Sequence, residues 1–155
     1  MNWYAHSQSW SFIFRRYLPR LVLCSLTWEV VQLPLYTLWA EPRSGPIAFA
    51  VAHCTAGDAM IGVAALVLAL VLSRAGAPAG WHRTRIGVLM VFIAVAYTLL
   101  SERINLVQGN WAYSPWMPVL PGLEVGLAPL MQWIVVPLMA WWWATRQPSQ
   151  PRRLG

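Results

Sequence analysis

The sequence predicts an all-α membrane protein: a bundle of four transmembrane helices, both termini cytoplasmic, with a structured external loop between helices 3 and 4. Composition is the first reason. Of 155 residues, 58% are hydrophobic and 10% charged, against ~25% charged in ordinary soluble domains. So few charges cannot cover a globule in water. The second reason is length. Four apolar blocks, residues 21–40, 47–72, 86–106 and 127–144, can be drawn, and each approaches or exceeds the ~20 residues with which a helix crosses ~30 Å of hydrocarbon. Period-two alternation is absent, which excludes a β-barrel.

Charge placement is the third reason. All 11 basic residues are Arg. Arg15, Arg16 and Arg20 precede the first block, Arg74, Arg83 and Arg85 separate the second from the third, and Arg146, Arg152 and Arg153 follow the fourth. Only Arg43 and Arg103 fall on the other side. The positive-inside rule then places the termini in the cytoplasm and the two remaining loops outside, as expected of a multi-pass protein of a bacterial inner (plasma) membrane. The net charge of +6 is thus an orientation signal, not a nucleic-acid patch. One domain, 1–155, is expected.

Residues 1–20 are aromatic and basic and suit an interfacial segment on the cytoplasmic side. In the first span Glu29, Gln32 and Tyr36 fall at i, i+3 and i+7 and share one helix face, and Pro34 should bend the helix there. The second span carries His53, Cys54 and Asp58 in its outer half to middle, with Ala52, Ala56, Gly57 and Gly62 as small surfaces for a neighbouring helix. Cys24 and Cys54 belong to different depths and are expected to be free thiols. Trp81 and the Trp141, Trp142, Trp143, Arg146 ending read as interfacial anchors.

The third span gathers its polar residues at the outer end, with Ser101, Glu102 and Asn105 within one turn. Arg103 is expected to snorkel or to pair with Glu124. The following loop is too rich in Trp, Pro and Leu for a floating linker and should fold back as a lid, Trp111 and Trp116 at the membrane surface. The fourth span starts with Pro129 in its first turn and carries Gln132 in its outer third.

Laid out by direction, Glu29, Gln32, His53, Cys54, Asp58, Glu102, Asn105 and Gln132 all fall between the bilayer middle and the outer face. A carboxylate near the middle of a span costs roughly 2.5–3.5 kcal/mol on insertion scales. These groups should therefore converge on an interior pocket open to the outer side. A desolvated carboxyl group can be kept protonated and serve as a general acid. Glu102 is then the expected proton donor, with His53 and Asp58 as relay or base and Glu29 completing the catalytic set. Asn105, Gln132 and Gln32 would orient a substrate, Tyr113 would complete its binding set, and Trp28, Trp111 or Trp133 would face a transient cation. The competing reading is a metal- or proton-handling protein, or an accessory subunit docked to other membrane subunits. Glu29, His53, Asp58 and Glu102 would be acceptable ligands for a divalent metal, though their spacing selects none. Glycine-rich phosphate loops, paired CxxC motifs and serine nucleophile elbows are absent.

Through WEVVQLPLY (28–36), AHCTAGD (52–58), SERIN (101–105), GNWAYSPWMPVLP (109–121) and QWIVVPL (132–138), the chain resembles a group of small bacterial four-span inner-membrane proteins with no assigned activity. Glu102, Asn105, Gly109, Trp111 and Tyr113 give a shorter likeness to membrane carotenoid cyclases and hydratases. The four-span layout with intramembrane acids and Trp is similar to the emopamil-binding (sterol isomerase) superfamily. The latter two likenesses imply a lipid-soluble, isoprenoid-like substrate.

The expected topology is directly measurable. A fluorescent-protein fusion after Gly155 should fluoresce in the cytoplasm, and alkaline phosphatase inserted at Gly122 should be active. The reverse pattern would invert the assignment.

Overall fold

Helix begins at Ser7, well before the first apolar block. After a single turn at Trp3–Ala5, α1 (Ser7–Ser11), a π-helical stretch (Phe12–Tyr17) and α2 (Leu18–Gln32) follow one another without leaving helical backbone. The computed structural model describes residues 2–146. Further on come α3 (Ser44–Leu72), α4 (Arg83–Gln108) and α5 (Leu127–Arg146). A two-residue hairpin, β1 (Val119–Leu120) and β2 (Val125–Gly126), precedes α5. Helices α3, α4 and α5 are each long and apolar enough to cross a membrane.

The four helices α2 to α5 close into a ring, since α3 packs on α2 and α4, and α5 packs on the same two. Neighbours are antiparallel. Leu21 on α2 lies against Gly62 of α3, whereas Glu29, two turns later on α2, shares a donor with Asp58, one turn earlier on α3. Polarity is turned inside out relative to a water-soluble bundle. Glu29, Gln32, Asp58, Glu102 and Gln132 are buried, whereas Phe49, Met60, Phe92 and Val107 stand more than two-thirds exposed. This arrangement leaves hydrocarbon-compatible side chains outside and groups that need polar partners inside.

Several expectations about the elements change. The first block does not continue as helix to residue 40: α2 stops at Gln32, and Leu33–Leu35 and Thr37–Ala40 are separate 3-10 turns. Pro34 has no N–H for the helical ladder and starts one of these turns, so it terminates the helix and does not merely bend it. Tyr36 is therefore extended and leaves the face shared by Glu29 and Gln32.

Within the segment expected at the interface, residues 7–17 run on into α2 and reach the core, where Ile13 and Tyr17 are fully buried. The Tyr17 hydroxyl donates to Met90 Sδ at 3.2 Å. Trp81 and Trp141, expected as anchors, are buried and stacked at 6.2 Å, and Phe12 meets both edge-on. Trp81 Nε1 has a partner in the Gly76 carbonyl at 2.8 Å, which is what lets an indole enter a core. Trp142 and Trp143 do stand exposed, under the guanidinium groups of Arg146 and Arg20 respectively.

Along α4 the buried positions Ile86, Met90, Ala94, Thr98 and Glu102 recur every fourth residue and form its inner stripe. The helix ends where Gly109 adopts φ 71°, with its N–H on the Leu106 carbonyl and the Asn110 N–H on Asn105. A left-handed residue is needed there, and glycine takes it without strain. Both cysteines are free, as expected.

Of the small residues expected to receive a neighbouring helix, Gly62 does so. A Cβ there would collide with the fully buried Leu21 side chain, while a Cβ at Gly57 would meet nothing within 4 Å. Gly62→Ala should therefore destabilise the bundle by roughly 1–3 kcal/mol through overpacking. Gly57→Ala should be neutral or stabilising by up to about 1 kcal/mol through lower backbone entropy in the unfolded chain. Thermal unfolding in detergent, followed by circular dichroism, distinguishes the two.

Candidate functional site

Helix α2 brings Glu29 and Gln32 to its inner face because they are separated by nearly one turn, and Asp58 of α3 and Gln132 of α5 meet them there. Gln132 Nε2 donates to Glu29 Oε1 at 3.1 Å and to Asp58 Oδ2 at 2.5 Å. Gln32 Nε2 donates to the same Glu29 oxygen at 3.0 Å and to Gln132 Oε1 at 3.2 Å. Trp28 Nε1 closes the chain onto Gln32 Oε1 at 3.0 Å. Every amide N–H2 and C=O in this set is used, which fixes which way each amide points. No arginine pairs with either acid; among the described residues the one ion pair is Arg43–Glu41.

A second centre forms around Glu102 near the end of α4. Tyr113 Oη donates to Glu102 Oε2 and accepts the Gly126 N–H at 2.9 Å, and Trp111 Nε1 reaches the same carboxyl oxygen at 3.4 Å. Glu102 Oε1 has no partner among the described residues. Burial and then the bond to Glu102 push the Tyr113 hydroxyl above the usual phenol range, so it remains a donor. Gly126 sits where a Cβ would lie 3.0 Å from the Tyr113 ring and from Met117 Sδ. A larger residue there would displace the tyrosine.

The loop that carries Tyr113 is fastened to the segment after α2. Thr37 N–H donates to the Ala112 carbonyl at 3.0 Å, Ser114 N–H to Leu35 at 2.9 Å, and Ser114 Oγ to Pro34 at 3.0 Å. Tyr36 pairs with Tyr113 as an isolated antiparallel bridge, rings 5.6 Å apart. The loop thus folds back as a structured cap. Trp116 at its tip is 82% exposed.

Both centres face one cavity of about 990 Å³. Glu29, Gln32, Asp58, Glu102, Asn105, Trp111, Gln132 and Trp133 all line it. Tyr113 and Trp28 stand behind the wall and hold Glu102 and Gln32. Asn105 bonds locally, to Ser101 and Asn110.

His53 departs from its expected role. It lies at the cavity rim, exposed and stacked on Phe49 at 5.6 Å, with no hydrogen bond to Asp58. The cause is rotational, since five residues along a helix turn the side chain well away from Asp58. The four residues considered as metal ligands do not meet either. Among the described residues no group of three or more His, Cys, Asp or Glu side chains is disposed to hold a metal ion. Arg103 is exposed and does not pair with Glu124; its guanidinium donates to the Leu123 carbonyl at 3.0 Å.

Thr98 was not singled out by sequence and lines the cavity. Its spacing of four from Glu102 was the available signal. Comparison with protein-family models, curated proteins and solved structures finds no match for this chain.

Gln132→Leu would strip the shared donor from two buried acids. An unsatisfied buried group costs ~1–3 kcal/mol, more when charged, so this variant should lower stability by at least that range. Gln132→Glu should restore little of it, because it adds a third carboxyl group. Thermal melts of the two variants beside the parent test the bridge.

Proposed function

We propose that this is a four-span protein of a bacterial inner membrane, termini cytoplasmic, cavity open toward the outer side, that performs acid–base chemistry on a carbon–carbon double bond. Its substrate would be a lipid-soluble, isoprenoid-like molecule, and the reaction an isomerisation, cyclisation or hydration. The observation that carries this reading is the pairing of two carboxyl centres, Glu29–Asp58 and Glu102, on one cavity that also presents indole rings.

The centres differ in a useful way. Two carboxyl groups bridged by one amide, with no cation to offset them, cannot both be ionised cheaply in a low-dielectric interior. Such a pair holds a proton that it can give up. Glu102 instead has two donors on one oxygen, the pattern that favours a carboxylate, and its other oxygen is free to receive. The hydrogen bonds thus favour the Glu29–Asp58 pair as acid and Glu102 as base, reversing the assignment read from sequence.

In the isomerase form, the pair's O–H bond breaks and a C–H bond forms at one alkene carbon. The cation left on the other carbon faces Trp111 or Trp133. Glu102 then takes a proton from the neighbouring carbon, and that C–H electron pair becomes the new double bond. One proton has moved from the pair to Glu102 and returns through water, so atoms and charge balance.

Purified protein in nanodiscs, given isoprenoid lipid extracts in deuterated water, should introduce deuterium into one product resolved by mass spectrometry. Asp58→Asn and Glu102→Gln should each lower that rate about 100-fold or more, the usual scale of a lost acid or base. Glu124→Gln, whose carboxyl group lies off the cavity, should not. Acid variants as active as the parent would sink the reading.

A further inference from the structure

The distribution of charge around the cavity narrows the substrate. The chain has five carboxylates and 11 arginines. Glu29, Glu41, Asp58 and Glu102 line the cavity, and no arginine among the described residues does. Arg43 neutralises Glu41 at the rim, with Nε 2.7 Å from Oε1. The three deeper acids have no such partner. Anionic headgroups are normally held by arginine forks, and a phosphate here would meet four carboxyl groups and no guanidinium among the described residues. A protein this rich in arginine, with none of the described ones at the cavity, is built against an anionic ligand.

The rest of the polar wall is uncharged, with Gln32, Thr98, Asn105 and Gln132 on it. Such side chains suit a neutral hydroxyl or carbonyl on a ligand.

The third feature is an edge. Phe49 and His53 on α3 and Tyr97 on α4 line the cavity and are also exposed, Phe49 to 71% and Tyr97 to 50%. Side chains that belong to both surfaces mark an opening in the wall, here between α3 and α4. Toward the other end of the same helices Leu66, Ala69, Leu70, Ile86 and Met90 are fully buried or nearly so, and the gap is closed.

We infer that the cavity takes an uncharged lipid, its single polar group inside among Gln32, Asn105 and Gln132 and its chain leaving between Phe49 and Tyr97 toward the surrounding hydrocarbon. This rests on the membrane placement and acid–base reading above and adds that phosphorylated isoprenoids are not the substrate. Lipid enters sideways; the capped end serves water and protons.

Two photoreactive probes test it: a long-chain alcohol with a diazirine in its chain, and the alkyl phosphate of the same chain, each equilibrated with the protein in nanodiscs, irradiated and mapped by peptide mass spectrometry. The alcohol should mark the Phe49–Asp58 and Tyr97–Glu102 segments about tenfold more than the phosphate, because like charges disfavour the latter. Gly57→Leu, which projects into open space at the cavity wall, should reduce that labelling several-fold with the thermal midpoint retained. Equal labelling by the phosphate, or labelling confined to Glu41 and Asn110 at the rim, would overturn the inference, as would full labelling of folded Gly57→Leu. The two-probe comparison on the parent protein decides even if that variant does not fold. Loss of deuterium incorporation on removing the acids is a separate readout, so the chemistry can stand while the substrate class falls.

Discussion

The carboxamide of Gln132 is the contact on which the polar half of the bundle depends. Its two N–H bonds reach acids on two different helices, and its oxygen receives the amide of Gln32. Where lipid is as apolar as leucine, apolar burial does little to bring helices together, and packing and interhelical hydrogen bonds must do it. One side chain therefore ties α2, α3 and α5 and at the same time makes two buried carboxyl groups tolerable. Remove the amide and the helices lose both their tie and the reason for the acids to stay inside.

The molecule divides along its length into two regimes. At one end Tyr17, Trp81, Trp141 and Met90 fill the interior with aromatic and sulfur contacts, which are strongly dependent on shape and leave no room. At the other end the helices separate around the cavity and polar bonds replace packing. The tight end sets the helix positions, and the open end uses them. Glu102 belongs to the open end and is held from the loop by Tyr113, so the cap braces the wall that α4 supplies.

Much of this was legible in residue types. Apolar block lengths located α3, α4 and α5 to within three residues at each end. Alternating span directions bring Glu29, Asp58, Glu102 and Gln132 together, and the structure has them on one cavity. The departures have local causes. Pro34 reads as a bend, whereas in the structure it is a stop whose freed carbonyl meets Ser114 eighty residues later. His53 shares the depth of Asp58 but stands ~100° around the helix from Cys54, and that rotation decides what it faces. Trp81 and Trp141 look like interfacial anchors by composition, and only the carbonyl of Gly76 explains how an indole N–H is satisfied in the core. Thr98 carried a spacing signal too weak to separate from the apolar residues around it.

The early end of α2 bears on how the chain is made. Because the helix stops at Gln32, the carbonyls of Pro34 and Leu35 and the N–H of Thr37 find no partner in their own segment; they find it in Ala112 and Ser114. A ribosome delivers those residues only after the second and third apolar segments have emerged. Until they are made, the segment after α2 lacks these backbone partners, so the chain's first half is completed by its second. A chain truncated before residue 112 would leave that segment without them.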